Sequence, residues 1–331
     1  MKAEVLKGLR VVLAEPNLSL RKSLLAEVES LGCTDIIDTG NLGGVYTAFE
    51  KGGVDVLIGD VTLPEGDLSE VVRDTRHGII GANPFIIAIA LVSKFDVEKI
   101  ASVIDSGVDD VQIIPLKKND LQSRIKTLAS GRKRFVVTSD YIGPDRRPKG
   151  MDVPGSMEVP LIKVPNPLQV RISGRMGSMT SQRSFESALN IVNEQKIERH
   201  AYAVDWLMQK IGKMQKGELS MDALDMKDQF ERLHKISEDI VSRLDGTSYS
   251  HAADLCITLE NMSVALMKSP QLAGEEELYL LGRLTEVIKR KCNGDYIDSY
   301  YSGDEMSMPV QAQSLPVDEH GARGVASQAT N

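Results

Sequence analysis

Two acidic residues close short apolar runs. Glu15 ends Val11-Val12-Leu13-Ala14-Glu15, and Asp60 ends Val56-Leu57-Ile58-Gly59-Asp60. An acid in such a place either caps the following turn or helix, or works in a ligand site where strand ends converge. Farther on, Arg146 and Arg147 form an adjacent pair whose planar guanidiniums could fork onto a phosphate, a nucleotide or an acidic partner. His200, His234 and His251 fall in helical stretches, where a histidine either packs at a boundary or carries a phosphoryl group. Cys33, Cys256 and Cys292 are too few and too scattered for a disulfide framework or a four-ligand zinc site, which fits a reducing cytoplasm.

The elements around the two acids alternate. Apolar runs at 9–14, 35–37, 54–58, 85–92 and 111–114 read as strands, and the stretches between them have helical spacing. Asn17 or Ser19 caps the first helix, with Leu20, Leu24, Leu25 and Val28 on its apolar face and Gly32 at its end. The segments 66–77, 94–106 and 118–129 are the later helices. Five strands alternating with five helices predict a parallel sheet covered on both faces. The carboxyl ends of its strands then carry Glu15, Asp60, Ala90 and Pro115.

Residues 8–129 resemble the receiver domain of bacterial response regulators, including the single-domain chemotaxis regulator. The likeness is carried by Val11 to Glu15, by Val56-Leu57-Ile58-Gly59-Asp60-Val61-Thr62-Leu63-Pro64, by Gly107-Val108-Asp109-Asp110 and by Ile114-Pro115-Leu116. It implies a flavodoxin-like α/β fold and phosphorelay signalling in a two-component system. Asp60 would be the phosphoacceptor of this phosphoprotein, charged by a histidine kinase or phosphotransfer protein. Glu15, Asp60 and the backbone carbonyl of Thr62 would hold Mg2+. The receiver face around the fourth helix, 94–106, would dock the kinase or another partner. Several positions depart from the family pattern. Pro16 replaces a second acid, Ile89 and Ala90 offer no hydroxyl, Ile114 replaces a lysine and Val111 an aromatic. Lys117 lies past Pro115, on the far side of the turn. These changes predict weaker metal binding and a read-out that is not built in the usual way. A pseudo-receiver that keeps the fold as a docking surface is the alternative reading.

Residues 130–180 are rich in glycine and proline, and nine basic residues face four acids, so this linker is locally positive in an acidic chain. Its two less random stretches, 135–147 and 159–168, read as a strap along one of the domains. An anion site at Arg146 and Arg147 would make the chain a nucleotide-sensing output protein, a further alternative. From 181 to 294 the period is helical. The runs Ile191-Ile197-Val204-Leu207-Ile211-Met214, Met226-Phe230-Leu233-Ser237-Ile240-Leu244, Ala252-Leu255-Leu259-Met262-Leu266 and Leu278-Leu281-Thr285-Ile288-Cys292 predict an all-α antiparallel bundle of four helices. None of the three histidines is followed by the Lys-Gly expected of a phosphotransfer helix. Residues 295–331 read as an acidic disordered tail.

Composition sets the outer bounds. The chain has 331 residues, 42% hydrophobic and 26% charged, with a net charge of −8. The acidic balance disfavours DNA binding through a global field. Without an apolar run of about 18 residues no membrane insertion is expected, and Glu4 stands where a signal peptide would begin its apolar stretch. The expectation is therefore a cytoplasmic response regulator, not an enzyme, acting on a downstream protein partner through its bundle. A bundle completed by a second chain would make the protein a homodimer.

Overall fold

Runs of Val, Ile and Leu become strands here because each can be buried on both faces between helices. In the computed structural model they are β1 (Arg10–Ala14), β2 (Asp35–Thr39), β3 (Val54–Asp60), β6 (Ile87–Ser93) and β7 (Asp110–Ile114). All five are parallel, in the order β2-β1-β3-β6-β7. A two-residue hairpin follows β3, made of β4 (Thr62–Leu63) and β5 (Gly66–Asp67). The model describes residues 4–94, 96–117, 119–147, 159–172, 179–218, 223–268 and 274–292.

The helices α1 (Leu18–Ser30) and α5 (Asp120–Ser130) cover one face, where Val11, Leu13, Val56, Ile58, Ile87 and Ile89 point. On the other face α2 (Leu42–Glu50), α3 (Leu68–His77) and α4 (Ile100–Asp105) cover Val12, Leu57, Ala88 and Ala90. Asn17 caps α1 through Oδ1, which accepts from the N–H groups of Ser19 and Leu20 at 3.0 Å. Gly59 brings β1 and β3 together: a Cβ there would lie 2.8 Å from the Ala14 carbonyl oxygen and from a Leu68 methyl. The helix expected over 94–106 is broken. A tight turn at Val97–Lys99 precedes the six-residue α4, because Asp96 and Lys99 donate to Ser93 and Asp96, three residues back, rather than four.

The linker is not a free strap. Its β8 (Phe135–Val137) and β9 (Ile142–Pro144) pair, and Phe135 bridges Ile162. The helix α6 (Pro167–Ile172) follows, with Leu168 buried against the α1–α5 face. Residues 148–158 and 173–178 lie outside the described residues, as does the acidic tail expected over 295–331.

Beyond the linker, α7 (Met179–Gln215), α8 (Ala223–Arg243), α9 (Ala253–Lys268) and α10 (Glu275–Lys291) form the expected bundle, each packed on the next and α10 back on α7. Two parts of its apolar pattern differ from expectation. Ile191 is 42% exposed, because the first turns of α7 lean on the linker and the α/β domain, with Ala188 and Val192 packing beside Phe85 and Phe135. On α9 the innermost residues are Cys256 and Ser263 rather than Leu255 and Met262, which are only partly buried.

The bundle and strap dock at one end of the sheet. Phe85, Asp109 and Leu9 precede β6, β7 and β1, and these amino-terminal ends face the strap and α7. Gly107, at φ +89°, lets the hairpin approach: a Cβ there would sit 2.5 Å from the Ile142 carbonyl oxygen.

Candidate functional site

The opposite end of the sheet gathers the acids. β1 and β3 are neighbours with Ala14 opposite Gly59, so Glu15 and Asp60 leave the sheet side by side at its carboxyl rim. Glu15 is 1% exposed. One carboxylate oxygen, Oε1, accepts from the Asn17 N–H at 2.8 Å, and the other, Oε2, is buried with no hydrogen-bond partner. Burial raises the Glu15 pKa, the Asn17 N–H opposes this, and the negative charge of Asp60 adds to the rise. Asp60 is half-buried at the last position of β3. Its Oδ1 accepts from the Thr62 N–H at 2.8 Å. Burial also raises the Asp60 pKa, with Asp96 pushing the same way and Lys99 opposing. Both acids therefore carry a burial cost that the N–H groups of Asn17 and Thr62 offset only in part.

That imbalance is the test of whether a hard cation fits. Mg2+ takes oxygen ligands and keeps several waters, so two carboxylates and a carbonyl suffice for it. A buried, unpartnered oxygen on Glu15 beside Asp60 is such a donor, and Thr62 lies two residues on. The residues fit the ion as a sparse set: among the described residues no group of three or more His, Cys, Asp or Glu side chains comes together.

Two positions that would add a hydroxyl and an ammonium are apolar. Ala90, opposite Gly59 in the sheet, is 2% exposed within the core, and Ile114 packs on the α1–α5 side. Two charged residues not singled out in the sequence are present instead. Lys99 Nζ donates to Thr62 Oγ1 at 2.9 Å, and Asp96 acts on Asp60 through its charge. Both sit in the loop after β6, at a carboxyl end of the sheet, and that placement was the signal that could have found them.

Arg146 and Arg147 are not brought together as an anion fork. Arg146 Nη2 donates to the carbonyls of Val108 and Asp109 at 2.8 and 3.0 Å, while Arg147 pairs with Asp145 at 2.8 Å. Arg146 thus ties the strap to the amino-terminal end of β7. Beneath it lies a buried network. Asp109 bridges Arg76 at 2.9 Å and Arg132 at 2.7 Å, and both guanidiniums lie over the Phe135 ring. Burial alone would raise the Asp109 pKa, but Arg132 and Arg76 hold it below the usual carboxylate range. Of the histidines, His200 is buried and its Nε2 meets Asp239 Oδ2 at 2.6 Å between α7 and α8, while His251 meets the Ser248 carbonyl.

No family model matches the chain. The swarming motility regulation protein RssB of Serratia marcescens is 27% identical over 135 residues, which is 41% of this chain and 59% of the relative. The match thus spans less than two thirds of that protein. Among solved structures, the receiver domain of sensor histidine kinase PA1611 from Pseudomonas aeruginosa, with magnesium coordinated in its active-site cleft, is 21% identical. It covers 36% of this chain and 96% of that domain, with a TM-score of 0.33. A CheY-like receiver domain protein from Methanospirillum hungatei is 18% identical, over 36% of this chain and 91% of that one, at a TM-score of 0.32. The fold assignment rests on the strand order rather than on these overlaps, since 2-1-3-4-5 is the flavodoxin-like order. Among the described residues no helix is long and apolar enough to cross a membrane. By its strand order and register, the region from β1 to α5 has the flavodoxin-like fold seen in receiver domains and is followed by a helical region, and over 135 residues the chain is similar to a response regulator.

Proposed function

We propose that the chain is a cytoplasmic two-component response regulator in which Asp60 accepts a phosphoryl group from a histidine kinase or phosphotransfer protein. A carboxylate oxygen of Asp60 bonds to phosphorus, the bond from phosphorus to the donor nitrogen breaks, and the electron pair stays with the imidazole. The chain is then acceptor and relay rather than enzyme, and its bundle passes the signal to a protein partner. The observation that carries this reading is the buried Glu15 Oε2, unpartnered, beside Asp60 at the carboxyl rim. Glu15, Asp60 and the Thr62 carbonyl would hold Mg2+, which when bound neutralises the carboxylates and the incoming phosphoryl oxygens. The Thr62 N–H fixes Asp60 Oδ1, and the burial of Glu15 keeps that acid in place for a cation.

Ala90 and Ile114 favour a second reading, a pseudo-receiver scaffold that docks partners without phosphochemistry, because apolar side chains fill the places a phosphoryl group would need polar. Intact-mass analysis after incubation with acetyl phosphate and magnesium decides between them. Wild type is expected to gain one phosphoryl group and Asp60→Asn none. Equal labelling of the two, or no labelling of wild type, would sink the acceptor reading.

A further inference from the structure

The acid rim has a charge problem that its strands do not solve. The charge of Asp60 acts on Glu15 and that of Asp96 on Asp60, and a phosphoryl group on Asp60 brings further negative charge to the same place. The edge strand β7, two places from β3 in the sheet, closes with the apolar Ile114. Arg21 is near, but its Nη1 donates to the Glu15 carbonyl at 3.0 Å and its Nε lies 3.5 Å from Asp38 Oδ2. Lys99 is differently placed. Its ammonium donates to Thr62 Oγ1, and the Thr62 N–H donates to Asp60 Oδ1, so Lys99, Thr62 and Asp60 form one hydrogen-bonded chain. The half-buried side chain carries its donors on a flexible four-carbon stem. A neutral hydroxyl is a modest partner for an ammonium, while an anionic phosphoryl oxygen makes a charge-assisted bond roughly twice as strong.

We propose that Lys99 is the positioning cation of this site: its ammonium leaves Thr62 for the phosphoryl oxygens once Asp60 carries them, and it draws the head of α4 with it. The inference rests on the phosphoacceptor reading above and adds to it the residue that senses the charge. Lys99 makes no covalent bond. It ends the tight turn at Val97–Lys99 and is the residue before Ile100, where α4 begins without a side-chain cap. That helix has six residues, so little of its own hydrogen bonding resists a shift at its start. The lysine thereby couples the chemistry at β3 to a segment near the edge of the sheet.

The test uses the full chain with beryllofluoride, a phosphoryl mimic, and magnesium, followed by fluorine NMR, beside phosphoryl decay by intact mass. Lys99→Ala is expected to bind beryllofluoride roughly tenfold more weakly than wild type and Lys99→Arg to recover part of the loss, with Lys117→Ala unchanged. Hydrogen exchange of amides 97–105 is expected to slow on binding in wild type and not in Lys99→Ala. Wild-type affinity and phosphoryl lifetime in Lys99→Ala, or the whole loss appearing in Lys117→Ala, would overturn the assignment while leaving Asp60 as acceptor. A wild type that takes neither mimic nor phosphoryl group would overturn both readings. Thermal unfolding of Lys99→Ala at the wild-type midpoint is expected, and a large drop would refer the loss to folding and overturn the sensing role.

Discussion

At the residue scale the molecule rests on one acid far from the site. Asp109 is fully inside, and it satisfies two buried guanidiniums that come from α3 and from the start of the strap. Arg76 also donates to the carbonyls of Gly107, Pro84 and Ile86, so its charge cannot retreat to water when its partner is removed. Asp109→Ala is expected to destabilise the chain by about 3–5 kcal/mol, because it leaves uncompensated charge in the interior; denaturant unfolding checks it, and a cost near zero would contradict the account. This network was hidden in the sequence. Arg132 was one basic residue among nine in the linker, and its partner lies 23 positions away, while Arg76 lies 33 positions from the same acid. No local spacing records such pairs. Glu15 and Asp60 were legible for the opposite reason, since each ends an apolar run and parallel strands bring those ends together. Lys99 escaped because it stands just where the 94–106 helix was expected to be continuous and is instead broken.

At the scale of elements the linker is the lesson. Its glycines and prolines did exclude a long helix, and its apolar stretches did form a strap, but the strap belongs to both domains at once. Phe135, Val137, Ile142 and Ile162 share a cluster with Phe85 of the α/β domain and with Ala188 and Val192 of α7. The hairpin can lie so close only because residue 107 has no side chain and a left-handed backbone. Gly107→Ala is expected to cost about 1–3 kcal/mol from overpacking alone and to raise amide exchange across 135–144, with the rim chemistry at Asp60 unchanged; unaltered exchange in the hairpin would show that the contact is slack. The bundle shows where periodicity runs out. Running from Ala252, just before α9, into that helix, the series Ala252, Cys256, Leu259, Ser263, Leu266 and the series with Leu255 and Met262 both step by three and four. The larger side chains favoured the second series, yet Ser263 faces inward because its hydroxyl meets that of Ser237 on α8 at 3.1 Å. A polar pair across two helices thus set the rotation that hydrophobicity left open.

At the scale of the whole molecule the α/β domain and the bundle are joined by charge as well as by packing. Arg243 of α8 donates to the His77 carbonyl at the end of α3, to Asn193 and to Asp239, and Lys196 of α7 donates to the carbonyls of Thr138 and Ser139. Burial, then Lys196 and Arg243, lowers the His77 pKa from 6.5 to about 3, and burial lowers that of His200 despite its bond to Asp239. Unfolded histidines take a proton near pH 6.5, whereas the folded ones resist it, so acid favours the unfolded chain. The joint is expected to hold fully above about pH 7 and to weaken through His77 between about pH 6.5 and 3, by up to about 1.4 kcal/mol per pH unit, with His200 acting in the same direction. Thermal melts from pH 7 to 5 check this, and His77→Gln is expected to flatten the slope; a slope unchanged by that substitution would contradict it. The joint also has a consequence of place. The strap and bundle grip the tail end of the strands, and the acids open at the tip, separated by the seven residues of β3, roughly 23 Å of rigid backbone. On the proposed function, a donor at the acids and a second protein on the bundle would meet the sheet at opposite poles.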